Sequence, residues 1–262
     1  MLKLYSIISG SSGNCSLITN GKTNILVDCG TSGKRTSEAL QKLAISDKVL
    51  NSIVVTHEHT DHTKGVGILA RKLKIPIYAT SGTHMNMDLG KISDEQIQVV
   101  VPDATYDIAG IGVTPFSIPH DAQEPCGYVF SYGNERIAVA TDIGIMTDNI
   151  LSRISGCKSV LLESNHDIDM LRFGDYPYAL KKRILSDIGH LSNESAAQAA
   201  YELVKSGTEH IMLGHLSDKN NTPEIAQMVT HSYISDRNVN IAKDVTLQVA
   251  GRYSITEFIT KG

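Results

Sequence analysis

A short apolar run over 52–56 (SIVVT) opens directly into His57-Glu58-His59-Thr60-Asp61-His62. A buried strand that ends in four ligating groups within six positions must deliver them to one place, and the rest of the fold must close around them. Imidazole and carboxylate donors together suit zinc, iron or manganese. His57 and His59 alternate along the chain and can grip one ion. Asp61 and His62 point elsewhere and can grip a second. The plainer account of such a run is a solvated polar loop, but no ordinary structural role needs so many ligating side chains so close together.

Each ion needs more donors than this run supplies. Candidates recur where later apolar strands break: His120 in SIPHDA, Asp142 in AVATDIG and His215 in IMLGHLS. Singly, each reads as a loop residue. Together they supply the missing donors, and the pattern reads as a metal-dependent hydrolase.

Composition sets the frame. The 262 residues suffice for one large domain or two fused halves with a substantial core. Apolar content of 41% and charged content of 20% fit a soluble globular chain. No apolar run approaches the roughly 18 residues of a membrane span. The start, MLKLYSIISGSSGN, breaks into Gly and Ser before any secretory apolar stretch, so the expected location is the cytoplasm. Cys15, Cys29, Cys126 and Cys157 are scattered, with no C-x-x-C pair. They read as buried small side chains in a reducing compartment. A net charge of −4 does not mark a general polyanion binder, although bound dications would change the field at the site itself.

The element pattern is strands, then helices, in each half. Asn20-Gly21 between apolar runs signals a hairpin. Apolar spacing predicts helices over 34–44, 65–73, 148–154, 178–185 and 195–205, the last ending at Gly207. Short strands fill 96–141 and recur over 159–163, 210–213, 245–249 and 253–255. Thr222-Pro223-Glu224 is a helix start. The order suggests two packed sheets with helices outside.

HEHTDH followed by spaced His120, Asp142 and His215 resembles the metallo-β-lactamase superfamily over nearly the whole chain. The resemblance implies one domain over 1–262, of α/β (α+β) class: a four-layer αββα sandwich of two αβ halves, with a dinuclear site at one sheet edge. It implies two divalent ions, zinc or manganese, with iron a third option. His57, His59 and His120 would hold one. Asp61, His62 and His215 would hold the other, with Asp142 bridging. Asp28, in LVDCG, would orient a ligand. The flavin-linked di-iron branch carries Glu where this chain has His59, so the resemblance is to the hydrolytic side.

Three further segments, SGSSGNCS (9–16), LLESNHD (161–167) and GHLSNESAAQA (189–199), resemble the YycJ/WalJ family. That family is described as cytoplasmic bacterial double-stranded DNA 5′→3′ exonucleases. The two GHLS segments and LLES also resemble the histidine and acidic motifs of tRNase Z. A β-CASP insertion and a flexible tRNA-gripping arm are not evident, which favours YycJ/WalJ. The implied reaction is phosphodiester hydrolysis on a DNA partner, with Asp61, Glu163 and His190 catalytic. His190 would protonate the leaving alkoxide, and Glu163 would hold its tautomer and charge. Asn14, Asn165 and His166 are the expected substrate contacts.

Between Glu163 and His190, Phe173, Tyr176 and Tyr178 interleave with Arg172, Lys181, Lys182 and Arg183. This mix suits stacked bases and phosphates. It equally suits a helix with a core stripe and a solvated basic face. The alternatives to a DNA exonuclease are a small-molecule or cyclic-nucleotide phosphodiesterase, a tRNase Z-like enzyme, a thioester hydrolase and a non-catalytic metal-binding module.

Overall fold

The computed structural model describes residues 1–258. Strands β1 (Lys3–Ile8), β2 (Cys15–Thr19) and β3 (Asn24–Val27) form an antiparallel meander, with Asn20-Gly21 at the second turn. Helix α1 (Gly33–Lys42) carries the chain back, so β4 (Ser52–Val54) pairs parallel with β3. The single turn α2 (Thr60–Thr63) and helix α3 (Val66–Leu73) lead to β5 (Ile77–Ala79). Helix α4 (Ser81–Asn86) leads to β6 (Ile97–Val99), and both strands join in parallel.

The second half repeats the plan. Strands β7 (Tyr106–Ile108), β8 (Ile111–Ser117), β9 (Cys126–Tyr132) and β10 (Glu135–Ala140) are antiparallel neighbours. After α5 (Asp148–Ile154), β11 (Ser159–Glu163) adds in parallel. Helices α6 (Ile168–Phe173), α7 (Tyr178–Ile184) and α8 (Asn193–Lys205) precede β12 (His210–Gly214), and α9 (Pro223–Ser235) precedes β13 (Thr246–Val249). Strand β14 (Thr256–Glu257) returns to pair with β1. Among the described residues the sheets run β14-β1-β2-β3-β4-β5-β6 and β13-β12-β11-β10-β9-β8-β7.

The short apolar runs are strands because both their faces are buried. Ile25, Val27 and Val54 face the opposite sheet, meeting Tyr128, Phe130, Leu161 and Met212. Their neighbours Leu26, Ile53 and Val55 pack outward on Leu40, Leu69 and Ala70 of α1 and α3. In the second sheet, Val160, Leu162, Ile211 and Leu213 pack outward on Ile150, Ala200, Leu203 and Ala226. The result is the four-layer αββα sandwich the sequence implies. One expectation fails. No strand forms over 253–255. The Gly251 amide donates to Thr256 Oγ1 at 2.9 Å, closing a turn, and pairing with β1 begins only at Thr256.

Strand direction gathers the polar residues. β8 and β10 both oppose β9, and β10, β11 and β12 are parallel, so all four run the same way. Their C-terminal ends carry His120, Asp142, Glu163 and His215 to one edge. The parallel pair β3 and β4 delivers Asp28 and His57. Asp28, Asp142 and His215 have φ of +60°, +61° and +55°. Left-handed backbone costs a non-glycine residue about 1–3 kcal/mol, and Asp and His tolerate it better than most. The strain marks three strand ends that turn sharply.

Candidate metal centre

The centre begins with one hydroxyl. Asp28 Oδ1 accepts the Thr56 amide at 2.8 Å, while its Oδ2 accepts the Thr56 hydroxyl at 2.9 Å and His62 Nδ1–H at 2.8 Å. With its proton given away, Thr56 Oγ1 is left to accept His57 Nδ1–H at 3.0 Å. His120 Nδ1–H donates to the Gly189 carbonyl at 3.1 Å, and His215 Nδ1–H to Glu163 Oε1 at 2.9 Å. These protons follow from satisfying the network. They leave Nε2 bare on His57, His62, His120 and His215.

The bare nitrogens converge. His59 Nδ1 lies 3.0 Å from His57 Nε2 and 3.4 Å from His120 Nε2. A second group forms where α2 turns back on His59, the His62 amide donating to the His59 carbonyl at 2.9 Å. Asp61 Oδ2 then stands 3.5 Å from His62 Nε2 and 3.8 Å from His215 Nε2. Asp142 lies between the groups, with Oδ2 3.5 Å from His62 Nε2 and Oδ1 4.0 Å from His120 Nε2. Asp142 Oδ2 and His215 Nε2 are buried without a hydrogen-bond partner, at about 1–3 kcal/mol apiece if nothing else engages them. Buried bare nitrogens facing carboxylate oxygens fit a divalent cation.

Charge completes the case. Burial, and then the imidazoles of His62, His120 and His59, hold His57 well below the usual histidine range. Burial likewise lowers His120. Burial alone would also lower His62, but Asp142 and Asp28 outweigh it and raise it well above that range. His215 is raised to about 10 against burial, chiefly by Asp142, Asp61 and Glu163. Burial pushes the Asp61 and Asp142 carboxyls up, yet the histidines hold both below the usual range. The carboxylates thus favour positive charge at His62 and His215. A dication held by these residues would supply that positive charge.

His190 stands beside this cluster. Its Nδ1–H donates to Glu163 Oε1 at 2.8 Å and lies 3.9 Å from Asp142 Oδ1. Its side chain is 18% exposed, against 3% for His215. Glu163 Oε2 accepts the amides of Ile143 at 2.7 Å and Leu191 at 3.2 Å. Burial opposes ionisation of Glu163, but His190 and His215 hold its carboxyl well below the usual range. Sequence ties Glu163 to His190 alone; here the same oxygen also steadies His215.

The expected substrate contacts separate. Asn14 Nδ2 lies 3.0 Å from His62 Nε2 and 3.3 Å from Asp61 Oδ2, at the cluster. Gly30 makes this meeting feasible: a Cβ there would sit 1.5 Å from the Asp61 carbonyl oxygen and 2.7 Å from the Asn14 amide. The Asn165 side-chain amide is spent on the His215 carbonyl at 2.9 Å. His166 is buried, pushed down to about 4 by that burial, with no partner on either ring nitrogen. Among the described residues, His166 joins none of the donor groups. Thr56 and Ser9 escape the sequence reading. The Ser9 hydroxyl accepts the His215 amide at 2.8 Å, fixing its strained turn. The one available signal for Thr56 is a polar residue closing an apolar run.

A model of the Beta-lactamase superfamily domain matches residues 23–215. The chain belongs to the metallo-β-lactamase superfamily. It is 38% identical over 242 residues to exodeoxyribonuclease YycJ of Bacillus anthracis, covering 91% of this chain and 92% of that one. It is 37% identical over 245 residues to exodeoxyribonuclease WalJ of Streptococcus pneumoniae, covering 92% and 91%. These matches set it in the YycJ/WalJ branch. Among solved structures, yeast PDE1 superposes with a TM-score of 0.71 at 13% identity and YhfI of Bacillus subtilis with 0.70 at 17%, each covering 98% of this chain and 99% of the other. They share its fold. As a member of the metallo-β-lactamase superfamily with these relatives, the chain is a metal-dependent hydrolase. No helix among the described residues is long and apolar enough to cross a membrane.

Proposed function

We infer that this hydrolase is a cytoplasmic, dinuclear phosphodiesterase that degrades duplex DNA from the 5′ end. One observation carries the reading: His190, fixed by the buried Glu163 carboxylate, stands at the edge of the donor cluster in a chain whose relatives over nine-tenths of its length are named exodeoxyribonucleases. Two ions, zinc or manganese, one on His57, His59 and His120 and the other on Asp61, His62 and His215 with Asp142 between, would supply charge against the phosphate and acidify water at neutral pH. His190 gives its Nε2 proton to the leaving sugar oxygen. Glu163 keeps the ring turned so that Nδ1 faces inward. Asn14 Nδ2 donates to a phosphate oxygen at the rim.

The test is a linear duplex labelled at one 5′ or one 3′ end and incubated with metal-loaded protein. Early release of the 5′ label as mononucleotide is expected. Intact duplex, alongside turnover of a cyclic nucleotide, a tRNA precursor or lactoylglutathione, would refute the DNA reading.

Phe173 and Tyr178 support a nucleic-acid partner. They flank the link between α6 and α7 and are 85% and 81% exposed. Lys182 beside them is exposed, whereas Lys181 is tied down by the carbonyls of Arg172 and Gly174. Base stacking contributes about 1–3 kcal/mol per base. Truncating both aromatics to alanine is therefore expected to raise KM for duplex DNA roughly tenfold or more. Lys182→Glu should flatten the salt dependence of binding. A p-nitrophenyl diester, which lacks flanking nucleotides, is the comparison. Equal losses on both substrates would make the segment structural.

A further inference from the structure

Arg183 lies near the end of α7, before the Gly189-His190 turn. Its Nε donates to Asp121 Oδ2. Asp121 Oδ1 is 3.4 Å from His120 Nε2, which is itself 3.4 Å from His59 Nδ1. The guanidinium is therefore one carboxylate away from the three-histidine group, and the charge of Asp61 also acts on it. The side chain is 50% exposed, and among the described residues its terminal amino groups make no other hydrogen bond.

A guanidinium carries donors in a fixed fork. Held through Nε, it keeps two terminal groups side by side, the spacing that matches two oxygens on one phosphorus. A lysine ammonium in the same ion pair would offer a single charge and no fork. Asp121 also limits where the fork can go, because it is anchored to the loop that carries His120. The amide of Asp121 donates to the Ile188 carbonyl at 3.1 Å, tying that loop to the His190 segment.

We propose that Arg183, positioned by Asp121, clamps the non-bridging oxygens of the phosphate lodged at the His/Asp cluster. The clamp selects phosphoryl over acyl substrates, since a thioester or lactam has no paired anionic oxygens to engage. It rests on the phosphodiesterase reading above.

The experiment uses the full-length, metal-loaded chain with Arg183→Ala, Arg183→Lys and Asp121→Asn. Orthophosphate affinity is read by calorimetry, kcat/KM on bis(p-nitrophenyl) phosphate by absorbance, and metal content in parallel. Arg183→Ala should lower kcat/KM about 10²–10³-fold, the loss typical of a charge-stabilising donor. It should also weaken orthophosphate binding at least about tenfold, the mark of a lost charge-assisted pair. Added guanidinium ion should restore part of the rate to Arg183→Ala, and Arg183→Lys should recover little. Asp121→Asn should weaken orthophosphate with metal content unchanged. Wild-type orthophosphate affinity in Arg183→Ala, or no rescue by guanidinium, overturns the clamp. So does metal loss in Asp121→Asn, which would make Asp121 a ligand. If wild type binds orthophosphate through Arg183 but hydrolyses no diester, the clamp stands and the phosphodiesterase reading falls.

Discussion

Replacing His190 with alanine is expected to slow DNA cleavage by about 10²–10⁴-fold, the worth of a positioned general acid, while costing a p-nitrophenyl diester less than about tenfold. The difference comes from the leaving group. A sugar alkoxide is strongly basic and needs a proton as the P–O bond breaks. A p-nitrophenolate departs without one. On the proposed reading His190 gives that proton: Nδ1–H is committed to Glu163 at 2.8 Å, which leaves Nε2 as the outward nitrogen on a partly exposed ring. Metal content should stay normal in His190→Ala. The rival view makes His190 a ligand, as its closeness to Asp142, Glu163 and His215 permits. That view expects metal loss and equal damage to both substrates. Measuring kcat/KM on both, with metal assayed alongside, separates the two, and equal losses would remove His190 from the acid role.

Glu163 complicates the companion variant in a way the sequence does not foretell. LLESNHD at a strand end and a later GHLS suggest one carboxylate for one histidine. The fold gives Glu163 Oε1 two, His190 at 2.8 Å and His215 at 2.9 Å, because β11 is the parallel neighbour of β12 and Glu163 pairs in register with Gly214. Glu163→Gln is therefore expected to damage the acid step and also to weaken metal binding about 10–100-fold, the usual cost of losing a ligand's supporting carboxylate.

The same contrast runs through the rest of the molecule. The candidates His57, His120, Asp142 and His215 were readable because each follows an apolar strand, and strands that run the same way align such ends on one edge. Thr56 was not, because its role is a three-body matter: Asp28, His57 and His62 meet its hydroxyl only when β3 and β4 pair. Strand β5, three residues long and directly after Pro76, is too short for periodicity to reveal. Helix α2 is a single turn whose sequence, Thr-Asp-His-Thr, reads as loop chemistry, yet that turn brings Asp61 and His62 to face His215. The supposed strand over 253–255 had the right side chains, but the turn closed by Gly251 and Thr256 claims the backbone first.

Asp142 supplies the other large expected effect. Wild-type protein purified without chelator is expected to carry more than one equivalent of metal, approaching two, and Asp142→Asn to lose occupancy of both ions. Asparagine is the right replacement. Asp142 has φ +61°, a conformation asparagine tolerates, whereas alanine would add about 1–2 kcal/mol of backbone strain unrelated to metal. His215→Asn, by the same logic at φ +55°, should empty mainly the group it shares with Asp61 and His62. Stability should follow occupancy. An ion at a thousand times its Kd stabilises the fold by about 4 kcal/mol per site, so chelation should lower Tm sharply in wild type and little in Asp142→Asn. The reason lies in how Asp142 is placed: Oδ2 is buried without a hydrogen-bond partner 3.5 Å from His62 Nε2, and Oδ1 is 4.0 Å from His120 Nε2, so one carboxylate reaches both donor groups. One tightly held equivalent in wild type, undisturbed in Asp142→Asn, would show instead that the centre is mononuclear and that Asp142 is not shared.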